Sequence, residues 1–262
     1  MSEGSIDLNV EAGIAHLRLN RPERLNALDV TMVDLLADRC REIERDNRVH
    51  VVILSGEGKA FSAGGDIDAW STIDPVTFGR HWIREGHTVF DSLARLRQPL
   101  IAVLDGHALG GGLELAACAD VRVAEKHVKI GLPETGLGIV PGWSGTQRAV
   151  RRFGSQIVRR MALFGEVFTA EEALGHGLVD RVVETGQGMA TAMELAESAL
   201  TRGPLAIELA KMMSAASEGE ERERVIEAIA GTVAASSPDL AEGLAAFRSR
   251  RPPAFEPKKD NP

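Results

Sequence analysis

Apolar and polar positions alternate from the start of the chain. Ile6 to Val10 and Ile14 to Leu19 keep a two-residue period on either side of Glu11-Ala12-Gly13, which predicts a β-hairpin. Asn20-Arg21-Pro22 ends its second strand. The period then lengthens to three and four residues through Met32, Leu35, Leu36, Cys40 and Ile43, so a helix with one buried face is expected from a cap at Asp29 to about Arg45. Val51-Val52-Ile53-Leu54 is a short unbroken apolar run closed by Ser55-Gly56, the pattern of a strand covered on both faces. Helical spacing returns from Pro75 to Leu96, with Phe78, Trp82, Val89, Phe90 and Leu93 inward and Pro99 as the stop. Leu100 to Leu104 reads as a second buried strand, Gly110-Gly111-Gly112 opens a helix from Leu113 to Cys118, and Val121-Arg122-Val123 and Val128 to Ile130 read as short strands.

Strand, glycine-rich loop and helix thus alternate, which indicates an α/β layered core whose loops gather at one edge. After about residue 200 the strands stop, and Pro204 to Met213, Arg222 to Val233 and Pro238 to Phe247 are all helical. Ser237 before Pro238 has the form of a helix cap. Residues 1–200 are therefore expected to form the core and 201–262 a helical subdomain, with the closing RRPPAFEPKKDNP extended.

Composition narrows the chemistry. The 262 residues are 44% hydrophobic and 26% charged, an ordinary globular balance. With 30 Lys and Arg against 38 Asp and Glu, the net charge of −8 gives no electrostatic reason to bind nucleic acid. Local basic groups at Arg21 and Arg24, and at Arg248, Arg250 and Arg251, can still meet phosphates. The two cysteines, Cys40 and Cys118, sit in apolar-periodic segments without metal or disulfide spacing, and no signal-peptide pattern or membrane-length apolar run occurs. These features point to a cytoplasmic protein without a metal.

Three loops can carry chemistry. In Phe61-Ser62-Ala63-Gly64-Gly65-Asp66-Ile67-Asp68 the small residues let a ligand approach backbone N–H groups. Gly110-Gly111-Gly112 exposes further donors at a helix start, and Glu114 follows about one turn later. In Leu132-Pro133-Glu134-Thr135-Gly136, Pro133 stiffens the approach to Glu134, and a shaped loop runs on through Gly142-Trp143-Ser144-Gly145. Each has a plain alternative as a turn, a packing loop or a solvated carboxylate.

Taken in order, NRPERLNAL, FSAGGDI, HALGGGLELAACAD and LPETGLGIVPGWSGTQR resemble the signature blocks of the crotonase (enoyl-CoA hydratase/isomerase) superfamily, and FTAEEALGHGLVDRVV and EGLAAF are similar too. The resemblance implies a Clp-protease-like spiral of ββα turns and a helical C-terminal trimerisation region, commonly in a trimer or a dimer of trimers. It implies an acyl-CoA thioester substrate, with coenzyme A as part of that substrate and no separate cofactor. The backbone N–H groups of Gly65 and Gly111 would form an oxyanion hole. Glu114 and Glu134 would stand over the substrate α- and β-carbons, with Glu134 assigned proton transfer or water activation at the β-carbon. Arg24, Ala27, Ala63, Asp66 and Ile67 would contact the CoA, and Gly142 and Trp143 the substrate, where the indole either narrows the acyl pocket or packs behind its wall.

Other readings remain open at this point. Δ3–Δ2 enoyl-CoA isomerases of the family work with one carboxylate at the position of Glu134, and other members are acyl-CoA lyases or non-catalytic RNA-binding or scaffold proteins. Ser144 in a glycine-rich turn also invites a serine-hydrolase reading, although Thr146 breaks the G-x-S-x-G elbow.

Overall fold

The computed structural model describes residues 4–220, 222–235 and 237–255, in two compact units, Met1–Leu209 and Ala210–Pro262. In the first, β1 (Ser5–Glu11) and β2 (Ile14–Asn20) pair antiparallel across Ala12 and Gly13, both left-handed as a two-residue hairpin requires. Eight strands follow: β3 (Val51–Gly56), β4 (Ala60–Ser62), β5 (Leu100–Leu104), β6 (His107–Leu109), β7 (Val121–Glu125), β8 (Lys129–Gly131), β9 (Val167–Thr169) and β10 (Arg181–Val183). They form a six-stranded sheet in the order β1-β2-β3-β5-β7-β10 and a four-stranded sheet in the order β4-β6-β8-β9.

The chain visits the two sheets alternately. β3 and β4, β5 and β6, then β7 and β8 each place a long strand in the first sheet and a short one in the second, and helical segments follow each pair. These repeated steps are the expected spiral of ββα turns. Gly56 and Gly106 sit at corners of the spiral: a Cβ on Gly56 would lie 2.6 Å from the carbonyl oxygens of Ala60 and Phe61, and one on Gly106 would lie 2.5 Å from Ala60 Cα. The short strands β4 and β6 are a structural addition to the sequence reading, since three residues are too few to show a period.

Continuous burial along β3 has a direct cause. Val52 and Leu54 face the larger core with Leu36, Leu100 and Phe61, while Val51 and Ile53 face a second cluster closed by Ala192 and Ala196 of the helix Gly188–Leu200. The helix Val30–Arg45 starts where expected, with Asp29 accepting the N–H of Met32 at 2.9 Å. The helix expected from Pro75 is not uniform: Pro75–Thr77 and Arg84–Ala94 are α-helical, but Phe78–Ile83 is a π-helix.

In the C-terminal unit the helices Arg222–Ala235 and Pro238–Arg248 lie close to their expected spans, while Pro204–Ser217 runs on past Met213. The division between units falls inside Pro204–Ser217, after Leu209. Ser237 occupies the cap position in extended conformation, yet its hydroxyl donates backward to the Ala234 carbonyl at 2.8 Å and makes no side-chain cap to its own helix. Of the closing segment, residues 252–255 are irregular and residues 256–262 lie outside the described residues. Among the described residues no helix is long and apolar enough to cross a membrane.

Asn26 ties the loop after β2 to β4. Fully buried at φ +53°, it donates from Nδ2 to the carbonyls of Glu57 (2.9 Å) and Ala60 (2.7 Å) and accepts the Arg21 N–H at 2.8 Å. The Ser62 hydroxyl in turn donates to the Asn26 carbonyl at 2.8 Å. Truncation strands several of these groups without water, so Asn26→Ala is expected to cost at least about 2 kcal/mol of unfolding free energy. Urea denaturation read by circular dichroism checks this; an unchanged midpoint would show that the loop does not depend on Asn26.

Candidate active site

Two loops from successive turns of the spiral meet backbone to backbone. A Cβ on Gly64 would lie 2.8 Å from the Gly111 nitrogen, and one on Gly112 would lie 2.1 Å from the Ser62 carbonyl oxygen. Only glycine permits this approach. The first loop is also anchored to Leu28, whose N–H donates to Gly64 O and whose carbonyl accepts the Asp66 N–H, both at 2.8 Å. Successive N–H groups of an extended segment point to opposite sides. The Gly65 N–H, between those two bonds, therefore points away from Leu28. Gly111 begins the helix Gly111–Ala116, where an N–H has no intrahelical acceptor. Gly65 and Gly111 both line one cleft.

Two carboxyls line the same cleft, with different support. Glu114 is 3% exposed, and its Oε1 accepts the N–H groups of Trp143 at 2.7 Å and Gly145 at 2.5 Å. Burial raises its pKa to about 8, with the nearby charge of Glu134 adding to the rise and the N–H donors opposing it. Glu134, at the start of the 3-10 turn Glu134–Leu137, has both carboxyl oxygens buried with no hydrogen-bond partner among the described residues. Burial raises its pKa to about 7. A pair of this kind holds a proton near neutrality and can both give and take one. Among the described residues no group of three or more His, Cys, Asp or Glu could hold a metal ion.

The rest of the lining is mainly apolar. The π segment contributes Phe78, Trp82 and Ile83, joined by Ile67, Trp70, Leu137 and Val140. A π-helix bonds residue i to i+5 and so stacks residues five apart. That geometry carries Phe78 and Ile83 to the cleft together. Trp143 lines the cleft, and its indole is 3% exposed, 4.9 Å from the Trp82 ring and 5.0 Å from the Phe90 ring, with Nε1 donating to the Trp82 carbonyl at 3.0 Å. Gly86 makes room for it, since a Cβ there would lie 2.1 Å from Nε1.

The structure thus brings together Gly65, Gly111, Glu114, Glu134, Ala63, Ile67, Gly142 and Trp143. Arg24, Ala27 and Asp66 stand outside the lining. Arg24 is exposed and pairs with Asp68 at 2.9 Å, and the Ala27 carbonyl accepts Arg21 Nη1 at 2.9 Å. Asp66 is turned inward, its carboxylate 2.6 Å from Arg21, because a buried anion needs a cation beside it. Arg21 is thereby committed within the fold. Phe78 and Trp82 were legible as the buried face of a helix but not as cleft walls, because nothing in the sequence marks the π turn.

Ser144 does not line the cleft. Its hydroxyl meets His87 Nε2 at 3.1 Å, and the Asp91 carboxylate approaches the same nitrogen at 3.7 Å. A hydrolytic triad needs its acid on the opposite ring nitrogen. This arrangement does not provide the geometry of a serine hydrolase.

The enoyl-CoA hydratase/isomerase family model matches residues 9–258. The chain is 39% identical over 212 residues to the short-chain-enoyl-CoA hydratase of Clostridium acetobutylicum, covering 80% of this chain and 81% of that protein. It is 35% identical over 260 residues to the crotonyl-CoA hydratase of Syntrophomonas wolfei, covering 97% and 99%. Among solved structures, an enoyl-CoA hydratase/carnithine racemase from Magnetospirillum magneticum superposes with a TM-score of 0.81 at 34% identity, covering 97% of this chain and 96% of that one.

Glu114 leaves a signature in stability. Its folded pKa of about 8 lies above the ordinary 4.5, so between those values the native state holds a proton that the unfolded chain releases. The stability that this proton contributes is therefore fullest below pH 4.5 and is lost as the pH rises through 8, at no more than about 1.4 kcal/mol per pH unit. Glu134 acts in the same direction up to about 7. The variant Glu114→Gln is expected to lose less stability than the wild type between pH 5 and 8.5 in urea titrations; parallel curves would contradict the buried, raised carboxyl.

Proposed function

This chain belongs to the enoyl-CoA hydratase/isomerase family, and from that premise we propose that its cleft performs the reversible addition of water to a 2-enoyl-CoA, giving a 3-hydroxyacyl-CoA. It is an enzyme of the hydratase (carbon–oxygen lyase) class, with an acyl-CoA thioester as substrate. The observation that best supports this reaction is a pair of carboxyls with raised proton affinity in a mainly apolar cleft that Gly65 and Gly111 also line.

The chemistry follows from that arrangement. Addition at the β-carbon leaves negative charge that the thioester carbonyl oxygen must carry. The N–H groups of Gly65 and Gly111 are assigned to receive that oxygen, each such donor being worth about 3–4 kcal/mol in the transition state. As the water oxygen joins the β-carbon, one carboxylate takes a water proton while the other carboxyl gives its proton to the α-carbon. The pair then holds the same number of protons as before, and H and OH have been added across the double bond. Glu114, fixed by two N–H bonds, suits the role of a rigid partner, and Glu134 reacts with both oxygens unengaged. Migration of a double bond needs only one proton-carrying group, so the second, buried carboxyl favours hydration over isomerisation.

The acyl group is read from the walls. No Lys or Arg is among the residues that line the cleft, so an uncharged, apolar acyl group suits it and a terminal carboxylate would be left without a cation. Coenzyme A enters as part of the substrate, and no other cofactor is assigned. We place the enzyme in the cytoplasm as a homotrimer or a dimer of trimers, with no membrane or nucleic-acid partner. Exposed Ile226, Val233, Leu244 and Phe247 in the C-terminal unit support self-association.

The conjugated enoyl thioester absorbs in the ultraviolet, so hydration of crotonyl-CoA is read as loss of that band. Rapid loss is expected, reduced by about 10²–10⁴-fold in Glu134→Gln. A 2-enoyl-CoA with a terminal carboxylate should react with a kcat/KM at least about tenfold lower. Equal rates for Glu134→Gln and the wild type would remove Glu134 from the mechanism, and no loss of absorbance with the wild type would redirect the assignment to isomerase or lyase chemistry.

A further inference from the structure

Ser144 lies between the two residues whose N–H groups hold Glu114, and it takes φ +83°, a left-handed conformation that a residue with a side chain rarely adopts. That conformation is what turns the N–H groups of Trp143 and Gly145 toward one oxygen, since a left-handed residue curls its neighbouring amides into a concave nest. Something must hold it. On its carbonyl side Ser144 accepts the N–H groups of Gln147 and Ala149, both at 3.2 Å, which start the helix Arg148–Phe153. On its side-chain side the only hydrogen-bond partner among the described residues is His87, at 3.1 Å. His87 stands on the helix Arg84–Ala94 beside Asp91, which also pairs with the buried Arg148 at 2.5 Å and with Arg95 at 3.0 Å.

We propose that His87 is a positioning residue for the hydration: by bonding the Ser144 hydroxyl it keeps that residue left-handed and so keeps the two N–H donors converged on Glu114 Oε1. The proposal rests on the reading of Glu114 as a reacting carboxyl. It does not place His87 on the substrate, because neither His87 nor Ser144 lines the cleft. The latch is needed only because position 144 carries a side chain; a glycine there adopts the same φ without strain.

The test is the coupling between the two positions. Hydration of crotonyl-CoA is measured for His87→Ala, His87→Gln, Ser144→Gly and the double variant His87→Ala with Ser144→Gly, with thermal unfolding to confirm that each is folded. His87→Ala is expected to lower kcat about tenfold with KM within about twofold, as loss of one positioning hydrogen bond would. His87→Gln, which can still bond the hydroxyl, should recover most of that loss. In the Ser144→Gly chain the same His87→Ala change should alter kcat by less than about twofold. An equal loss in both backgrounds, or no loss in the wild-type background, would overturn the proposal. Glu114→Gln, assayed alongside, separates the premise: wild-type kcat in that variant would sink the role of Glu114 itself, whatever His87 does.

Discussion

The close approach of two backbones at Gly64, Gly111 and Gly112 is the constraint on which the site depends. The loops that meet there follow β4 and β6, neighbours in the small sheet, so the spiral delivers them side by side once per turn. Side chains between them would hold the two peptides apart. Around this contact the fold adds ties that reach the same loop from other directions: Leu28 through its backbone, Asn26 through its amide and Arg21 through Asp66. Loops built from such small residues need this external support, because they have little side chain with which to hold themselves in place.

The two carboxyls show the opposite solution. They are expensive to bury, and the protein compensates them unequally. Glu114 receives two N–H donors from a strained loop, whereas Glu134 receives no hydrogen bond to its carboxyl oxygens among the described residues. The apolar walls that make the cleft suitable for an acyl chain are the same walls that raise both proton affinities. Substrate preference and acid–base behaviour are therefore set by one set of residues, and a polar substitution in the lining would disturb both.

Much of this was legible in the sequence, and the parts that were not share a cause. The hairpin, the Asp29 cap and the buried strands have local signals: period, cap chemistry and apolar runs. Glu114 and Glu134 stood out through the resemblance of the loops that carry them to the signature blocks of the family. The short strands β4 and β6 and the π turn at Phe78–Ile83 are settled by packing over distances that no local pattern records. Asn26 and His87 were missed because an isolated polar residue in a loop or helix gives no sign of the distant carbonyl or hydroxyl that it meets. Asp66 follows the same rule: its place beside the glycines is plain in the sequence, but the pairing of its carboxylate with Arg21, forty-five positions earlier, is not.

The π segment makes the acyl pocket sensitive to the length of the chain as well as to its composition. Such a turn accommodates one residue more than an α-helix of the same span. Loss of a single residue between Phe78 and Ile83 would restore α-helical spacing, with Phe78 and Ile83 then four residues apart and still within about 40° of each other around the axis, and would close the widened turn between them while Arg84–Ala94 kept its place on the core. A one-codon deletion or insertion at this point offers natural variation a route to a differently shaped pocket, without altering either carboxyl or either glycine loop.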